Sequence, residues 1–416
     1  MAAAESAARR GFPSPGAPLV LALCSAAALF EGFDNQSMGV AAPLLFREFS
    51  VAPAQAGIIF SAATFGLFFG AAIGGRVADR IGRQQTLMIS LLLFGLCSLL
   101  TAAAGSAQMV LVSRLLTGLG CGGAMPAFIS MASEAVQSSR RLTAVTLVMA
   151  ALPLGGALAG VMALGDSLGW GWRPIFIVGG IAPIIVALAL LVSSRHAPRD
   201  SDARRRPALA GRYLSAAPIG TVLWAGRAGA TALLWIGFFF TQLVLFLMVN
   251  WLPSLIIGLG FSRSEASLAS IGFNLAGCVG AAALGRFHAG PHRRLWVVLT
   301  YGGIAVALLG LLAISASGKI FALAIIASSL AGVFIVGAQL ILFALAPLYY
   351  SAAHRGTGVG AAVAVGRLGS VAGPLLASAV LTAGSGSATV LAAILPFVML
   401  AGAAALGLTW QAQSSE

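Results

Sequence analysis

Charge is what this chain lacks. Only 8% of its 416 residues are Asp, Glu, Lys or Arg, against about 25% in an ordinary soluble domain. So few charges cannot cover a water-facing surface, and the fold class they leave is an all-α integral membrane protein. Lysine is nearly missing: Lys319 is the one lysine among 24 basic residues. Cysteine is scarce too. Cys24, Cys97, Cys121 and Cys278 each fall in an apolar run with no C-x-x-C spacing, which argues against a disulfide framework and a metal site. No Ser-His-Asp, metal-binding or phosphate-cradling constellation occurs, so the chain is not read as an enzyme and implies no cofactor. A net charge of +13 would suit nucleic acid, but no separate basic domain exists. The arginines punctuate apolar runs, a pattern of loop topology that implies no nucleic-acid partner.

The apolar runs are what the chain has in abundance. A helix needs about 20 apolar residues to cross a bilayer, and twelve such spans are expected: 18–40, 53–76, 84–105, 108–133, 142–165, 172–194, 229–256, 265–285, 294–314, 320–347, 355–382 and 387–410. Arg9 and Arg10 precede the first run as in a signal peptide, but the run is long and contains acids, so a retained first helix is expected. An even number of spans puts both termini on one side. Placing them in the cytoplasm gives the inner segments 18 Arg or Lys and the outer loops four, namely Arg47, Arg173, Arg263 and Lys319. That bias orients a multi-pass membrane protein with both termini in the cytoplasm.

The longest hydrophilic stretch, Ser193 to Gly211, holds the run Arg204 to Arg206 and reads as a basic linker at the headgroups. The expected organisation is a six-helix bundle at 1–194, a linker at 195–228 and a second six-helix bundle at 229–416. A shift of 210 positions brings Pro43 onto Pro253, Gly75 onto Gly285, Arg76 onto Arg286 and Arg83 onto Arg293. Two parallel repeats of this kind imply a substrate site near the midplane and alternating access by rocking.

Charges inside spans are the candidate machinery. Glu31 and Asp34 are three residues apart in the first span and share a helix face. An intramembrane carboxylate is costly, and its default reading is functional. Arg114 in the fourth span cannot deprotonate and needs an acid, carbonyls or an anion. At 1.5 Å per residue, Glu31 and Asp34 lie about 20–24 Å from the cytoplasmic end and Arg114 about 9 Å from the outer end of a core about 30 Å thick. All three share a level, so a salt bridge from Arg114 to either acid is expected, serving either proton coupling or structure alone. Arg367 in the eleventh span lies about 18 Å from the cytoplasmic end. The second-half spans carry no acid in their interiors, so Arg367 is a candidate for an anionic substrate, or is held by backbone carbonyls beside Gly366, Gly369 and Pro374. Asn250 and Trp251 near the outer end of the seventh span, and Gln339 in the tenth, serve substrate, packing or the interfacial belt. Tyr349 and Tyr350 are expected to be belt residues.

The stretch Gly75-Arg76-Val77-Ala78-Asp79-Arg80-Ile81-Gly82-Arg83 links the second and third spans. It resembles the loop signature of the major facilitator superfamily, Gly-x-x-x-Asp-Arg/Lys-x-Gly-Arg-Arg/Lys, until Gln84 replaces the final basic residue. Physically, Gly82 permits a tight turn, and Asp79 is suited to meet a helix end or an arginine and latch the cytoplasmic side. Arg114 to Gly123 resembles the family's fourth-span motif of one arginine followed by spaced glycines. Within the superfamily, Glu31-Gly32-Phe33-Asp34 is similar to the acid-Gly-aromatic-Asp group of the aromatic acid:proton symporters, with Glu in place of the usual first Asp. Asn250-Trp251-Leu252-Pro253 and the run from Gln339 to Pro374 extend that likeness. Pro153 to Gly160 lacks the full Gly-x-x-x-Gly-Pro-x-x-Gly-Gly pattern of drug/proton antiporters.

The resemblance implies a monomeric secondary transporter that imports an aromatic carboxylate with protons. It would use Asp34, Glu31 and Arg114 for coupling, and Arg367, Arg114, Phe33, Asn250, Trp251 and Gln339 for the substrate. Gly75, Asp79, Arg80, Gly82 and Arg83 would form the gating loop. An exporter of the same fold is the alternative, and a non-transporting membrane sensor a more distant one.

Overall fold

The computed structural model describes residues 17–137, 140–196, 228–287, 292–317, 319–350 and 354–411. The expected linker at 195–228 therefore falls almost wholly outside the described residues. Twelve long helices run in order: α1 Ala17–Glu48, α2 Pro53–Ile81, α3 Arg83–Ala102, α4 Ala107–Glu134, α5 Arg141–Ala163, α6 Arg173–His196, α7 Ala228–Gly258, α8 Arg263–Phe287, α9 Arg293–Ser317, α10 Phe321–Leu345, α11 Arg355–Thr382 and α12 Ser387–Leu408. Eleven of them are long and apolar enough to cross a bilayer by length and composition, α8 being the exception. Large apolar side chains cover the outward faces, among them Leu147, Ile185, Val279, Val306 and Met399, each more than half exposed. Such a surface is stable against lipid and not against water.

Several helices outrun the expected spans. α1 continues through Pro43 to Glu48, because a proline is tolerated in a membrane helix where neighbours satisfy the freed backbone. Between α2 and α3 the chain turns at Gly82, whose φ of 94° is open to glycine and costly for other residues. Ser106 caps α4 by accepting from the Met109 N–H at 3.3 Å, and Ser262 and Glu265 form a reciprocal capping box at the start of α8. Tyr349, in the short 3-10 helix Ala346–Tyr349 that ends α10, is 1% exposed, and so is its neighbour Tyr350. The Tyr349 hydroxyl donates to the Leu408 carbonyl, and Tyr350 bonds Thr231 at 3.1 Å. They are internal ties between helix ends, not belt residues: each ring turns inward, where its hydroxyl finds a partner.

Two compact units account for the described helices. The first holds residues 17–37, 62–165 and 169–196, and the second holds 38–61, 166–168 and everything from 228 onward. The tip of the α1–α2 hairpin thus packs with α7 and α11. The core of the first unit joins Leu87, Leu91 and Phe94 of α3 to Cys121, Ala124 and Phe128 of α4, with Ala27, Val148 and Leu190 from α1, α5 and α6.

Glycines set how closely the helices approach. A Cβ on Gly155 of α5 would overlap the Leu29 carbonyl of α1, and one on Gly118 of α4 would overlap the Ala63 carbonyl of α2. The second unit repeats both contacts. Gly369 of α11 meets Phe239 of α7, and Gly332 of α10 meets Phe273 of α8. Leu29 to Phe239 and Ala63 to Phe273 are each 210 positions apart, the shift seen in the sequence. Gly155 to Gly369 and Gly118 to Gly332 are each 214 apart. The repeat therefore extends from motifs to helix contacts, with four residues gained between the second and fourth helices.

Candidate functional site

α1 and α4 bring the intramembrane charges together. Arg114 Nη1 donates to Asp34 Oδ1 and Nη2 to Asp34 Oδ2, both at 2.8 Å. Nη2 also reaches the Asp34 carbonyl at 3.4 Å. This fork-on-carboxylate geometry is the strongest ion-pair arrangement that side chains offer. Both residues are buried, Arg114 at 1% exposure and Asp34 at 2%. The helix-depth argument allowed either acid as the partner, and the structure selects Asp34. Glu31 stands one turn away, fully buried.

Two further groups flank the pair, and neither was singled out for this role in the sequence. The Arg114 guanidinium lies 5.6 Å from the centroid of the Phe176 ring on α6, within cation–π range. Cys121, two turns along α4, places its Sγ 4.0 Å from Asp34 Oδ2. Arg114 Nε is buried with no hydrogen-bond partner among the described residues. A signal for Cys121 existed, since positions 114 and 121 share a helix face. None existed for Phe176, which approaches from a separate helix.

Phe33 is fully buried, 6.4 Å from the Phe30 ring, with its edge against Gly179 of α6. Asn250 bonds its own helix, Nδ2 to the Phe246 carbonyl at 2.8 Å. Trp251 donates Nε1 to the Pro374 carbonyl of α11 at 3.1 Å and stacks edge-on with Phe60 at 4.9 Å. These two therefore sit beside the hairpin tip. There a Cβ on Gly39 would come 2.6 Å from the Val249 carbonyl, Ser61 Oγ donates to the Val371 carbonyl at 2.8 Å, and Ser378 Oγ donates to the Pro53 carbonyl at 2.6 Å. Arg367 is half-buried on α11, with Ser370 Oγ on its carbonyl at 2.7 Å. Gln339 is half-buried on α10.

In the α2–α3 loop, Gly75 is half-buried and Asp79 and Arg80 are exposed. Arg83 pairs with Glu134 at the end of α4. Gln84, where the family signature has a basic residue, donates Nε2 to the Leu190 carbonyl of α6 at 2.8 Å. The turn is thus tied to two neighbouring helices.

The second unit has no counterpart to the ion pair. At the repeat offsets, Val244 stands where Asp34 does and Ser328 where Arg114 does.

A family model described as Major Facilitator Superfamily matches residues 24–374. The chain is 39% identical over 386 residues to the 3-(3-hydroxy-phenyl)propionate transporter of Escherichia coli (strain K12), a match covering 93% of this chain and 92% of that one. It is 31% identical to the gallate transporter of Pseudomonas putida (88% and 86% covered) and 30% identical to the 4-hydroxybenzoate transporter of the same organism (90% and 89%). Among solved structures it resembles a bacterial homologue of the human lysosomal transporter Spinster in an inward-facing, occupied conformation, with TM-score 0.76, 16% identity and 96% and 98% of the chains covered. It also resembles the D-xylose-proton symporter, with TM-score 0.73, 19% identity and 94% and 97% covered. Twelve membrane helices in two repeats, the Gly75–Arg83 turn and a family match across most of the sequence agree, and the protein belongs to the major facilitator superfamily of membrane transporters.

Proposed function

We propose that the protein imports an aromatic carboxylate such as 3-(3-hydroxyphenyl)propionate together with protons. In this reading it works as a monomer in the bacterial inner membrane, with both termini in the cytoplasm. The observation that carries the reading is the buried, two-pronged Asp34–Arg114 pair. A charge pair removed from water is weak support for stability and is retained where it does a task. Here the task is to sense a proton. Protonation of Asp34 removes the charge that holds Arg114, and the guanidinium turns to another acceptor. Glu31, one turn along the same face, is the second acid of this relay. Arg367 meets the substrate carboxylate, because an aromatic acid enters as an anion and a fixed guanidinium is its natural complement. The named activities of the three relatives are all transport of aromatic acids, which supports this substrate class. The Gly75–Arg83 turn is the inner gate, and its ties to α4 and α6 couple its movement to the helices that flank the ion pair.

The test is uptake of labelled 3-(3-hydroxyphenyl)propionate by vesicles containing the protein. Accumulation driven by an imposed inward proton gradient and abolished by a protonophore supports the reading. Accumulation indifferent to the protonophore refutes proton coupling. Outward, proton-driven loss of preloaded substrate would make the protein an exporter.

A further inference from the structure

Gln242 lies on α7, 2% exposed, and its Oε1 is fully enclosed without a hydrogen-bond partner among the described residues. An acceptor stranded away from water is costly unless something donates to it. Its surroundings are specific. The Gln242 Cγ is 3.2 Å from where a Cβ on Gly366 would stand, and the Phe238 Cβ is 3.3 Å from the same point. Gly366 is the residue before Arg367, and Phe238 packs edge-to-face with Phe343 at 5.2 Å. The Gln242 side chain therefore packs beside Gly366 and Phe238, one residue along α11 from the arginine assigned above to the carboxylate.

The repeat sharpens the point. At the offset of 210, Gln242 occupies the place of Gly32, and at 214 Gly366 occupies the place of Leu152. In the first unit the glycine is on α1 and seats the backbone of Leu152. In the second unit the glycine is on α11, and the vacated space holds a glutamine. Packing alone would be served by leucine or methionine, which carry no polar atom to strand. An amide in this seat is explained by a ligand with something to donate.

We propose that Gln242 is a specificity-determining residue whose side-chain oxygen accepts a hydrogen bond from the ring hydroxyl of a hydroxylated aromatic acid. The proposal rests on the aromatic-carboxylate reading and deepens it: Arg367 recognises the acid end and Gln242 the phenol. A site built to bond a hydroxyl discriminates strongly against the analogue that lacks one, because the buried group is then left alone.

The test compares 3-(3-hydroxyphenyl)propionate with 3-phenylpropionate as binding competitors of the purified full-length protein, wild type and Gln242→Met. The expected result is a wild-type preference for the hydroxylated compound of about tenfold or more. The variant should lose that preference by weakening the hydroxylated ligand alone. Gln242→Met should also melt no lower than wild type without ligand, since it removes a stranded acceptor. Gln242→Leu should behave alike and guards against a folding defect peculiar to one variant. Equal weakening of both ligands would place the amide on the carboxylate, and an unchanged ratio would place it outside the site; either overturns the proposal. Failure of both compounds to bind wild type would instead sink the aromatic-carboxylate reading itself, and this proposal with it.

Discussion

Replacing Asp34 by asparagine keeps the shape of the side chain and removes its charge. In the native protein, two bonds of 2.8 Å join that carboxylate to Arg114, and neither residue is more than 2% exposed. The guanidinium would then keep its charge in a buried site with no anion at its fork. Breaking a buried pair in this way costs about 3–5 kcal/mol, most of it the desolvated partner left behind. The cation–π contact with Phe176 offsets about 1–2 kcal/mol at most and exists before the change as well as after. Asp34→Asn should therefore lower the melting temperature in detergent clearly, and Arg114→Met should do the same by stranding the carboxylate. Asp34→Asn with Arg114→Met strands neither member of the pair, so the double variant should melt well above either single one. Transport separates stability from coupling: both singles and the double should lose protonophore-sensitive accumulation. Single variants as stable as wild type, or a double variant whose loss is the sum of the two, would refute this account of the pair.

Gly155→Ala and Gly332→Ala each force a methyl into a facing backbone carbonyl and should destabilise by about 1–3 kcal/mol or more. Gly302→Ala on α9 meets nothing within 4 Å and should be neutral or slightly stabilising, by about 0.5–1 kcal/mol; thermal melts of the three variants check both statements. Arg367→Lys keeps the charge and loses the fork, so substrate titration should show binding weakened by about 2 kcal/mol with an unmoved pH profile. Arg114→Lys should displace the pH profile of uptake while altering affinity less. Asp79→Asn should slow turnover and leave equilibrium binding largely intact; a large loss of binding at normal turnover would remove Asp79 from the gate. Ser262→Ala removes one half of the capping box at α8 and should cost about 1 kcal/mol of stability, measured by the same melts.

The bilayer made much of this legible in advance. Because a span has a fixed length, a residue number converts to a depth, and depth alone brought Arg114 level with Glu31 and Asp34. What depth does not give is azimuth. Phe176 and the fork on Asp34 depend on which way α6 and α4 are turned, and many residue types suit either direction. Tyr349 and Tyr350 show the same limit. At the end of an apolar run, tyrosine suits the interface equally well as an internal tie, and only the neighbouring helix decides. Asn250 and Trp251 were legible as notable but not as neighbours of Gly39 and Pro374, since the α1–α2 hairpin tip reaches them across more than 100 positions. The glycine contacts were visible as spacings. Their pairing needed the second unit, where the offset of 210 places the same contact again.

The drift of that offset from 210 to 214 has a consequence for packing. Four residues make one turn of helix, about 6 Å of rise and about 40° of rotation beyond a full circle. α9, with 25 residues against 20 in α3, is long enough to hold the extra turn. An insertion of two residues there would have turned the remainder of α9 by about 200° and carried its packing face away from its neighbours. One whole turn changes the direction of that face by only about 40°. The two six-helix units thus differ by about one helical turn and keep the same glycine contacts, while their middles differ: the first holds the Asp34–Arg114 pair, and the second has Val244 and Ser328 at the corresponding positions.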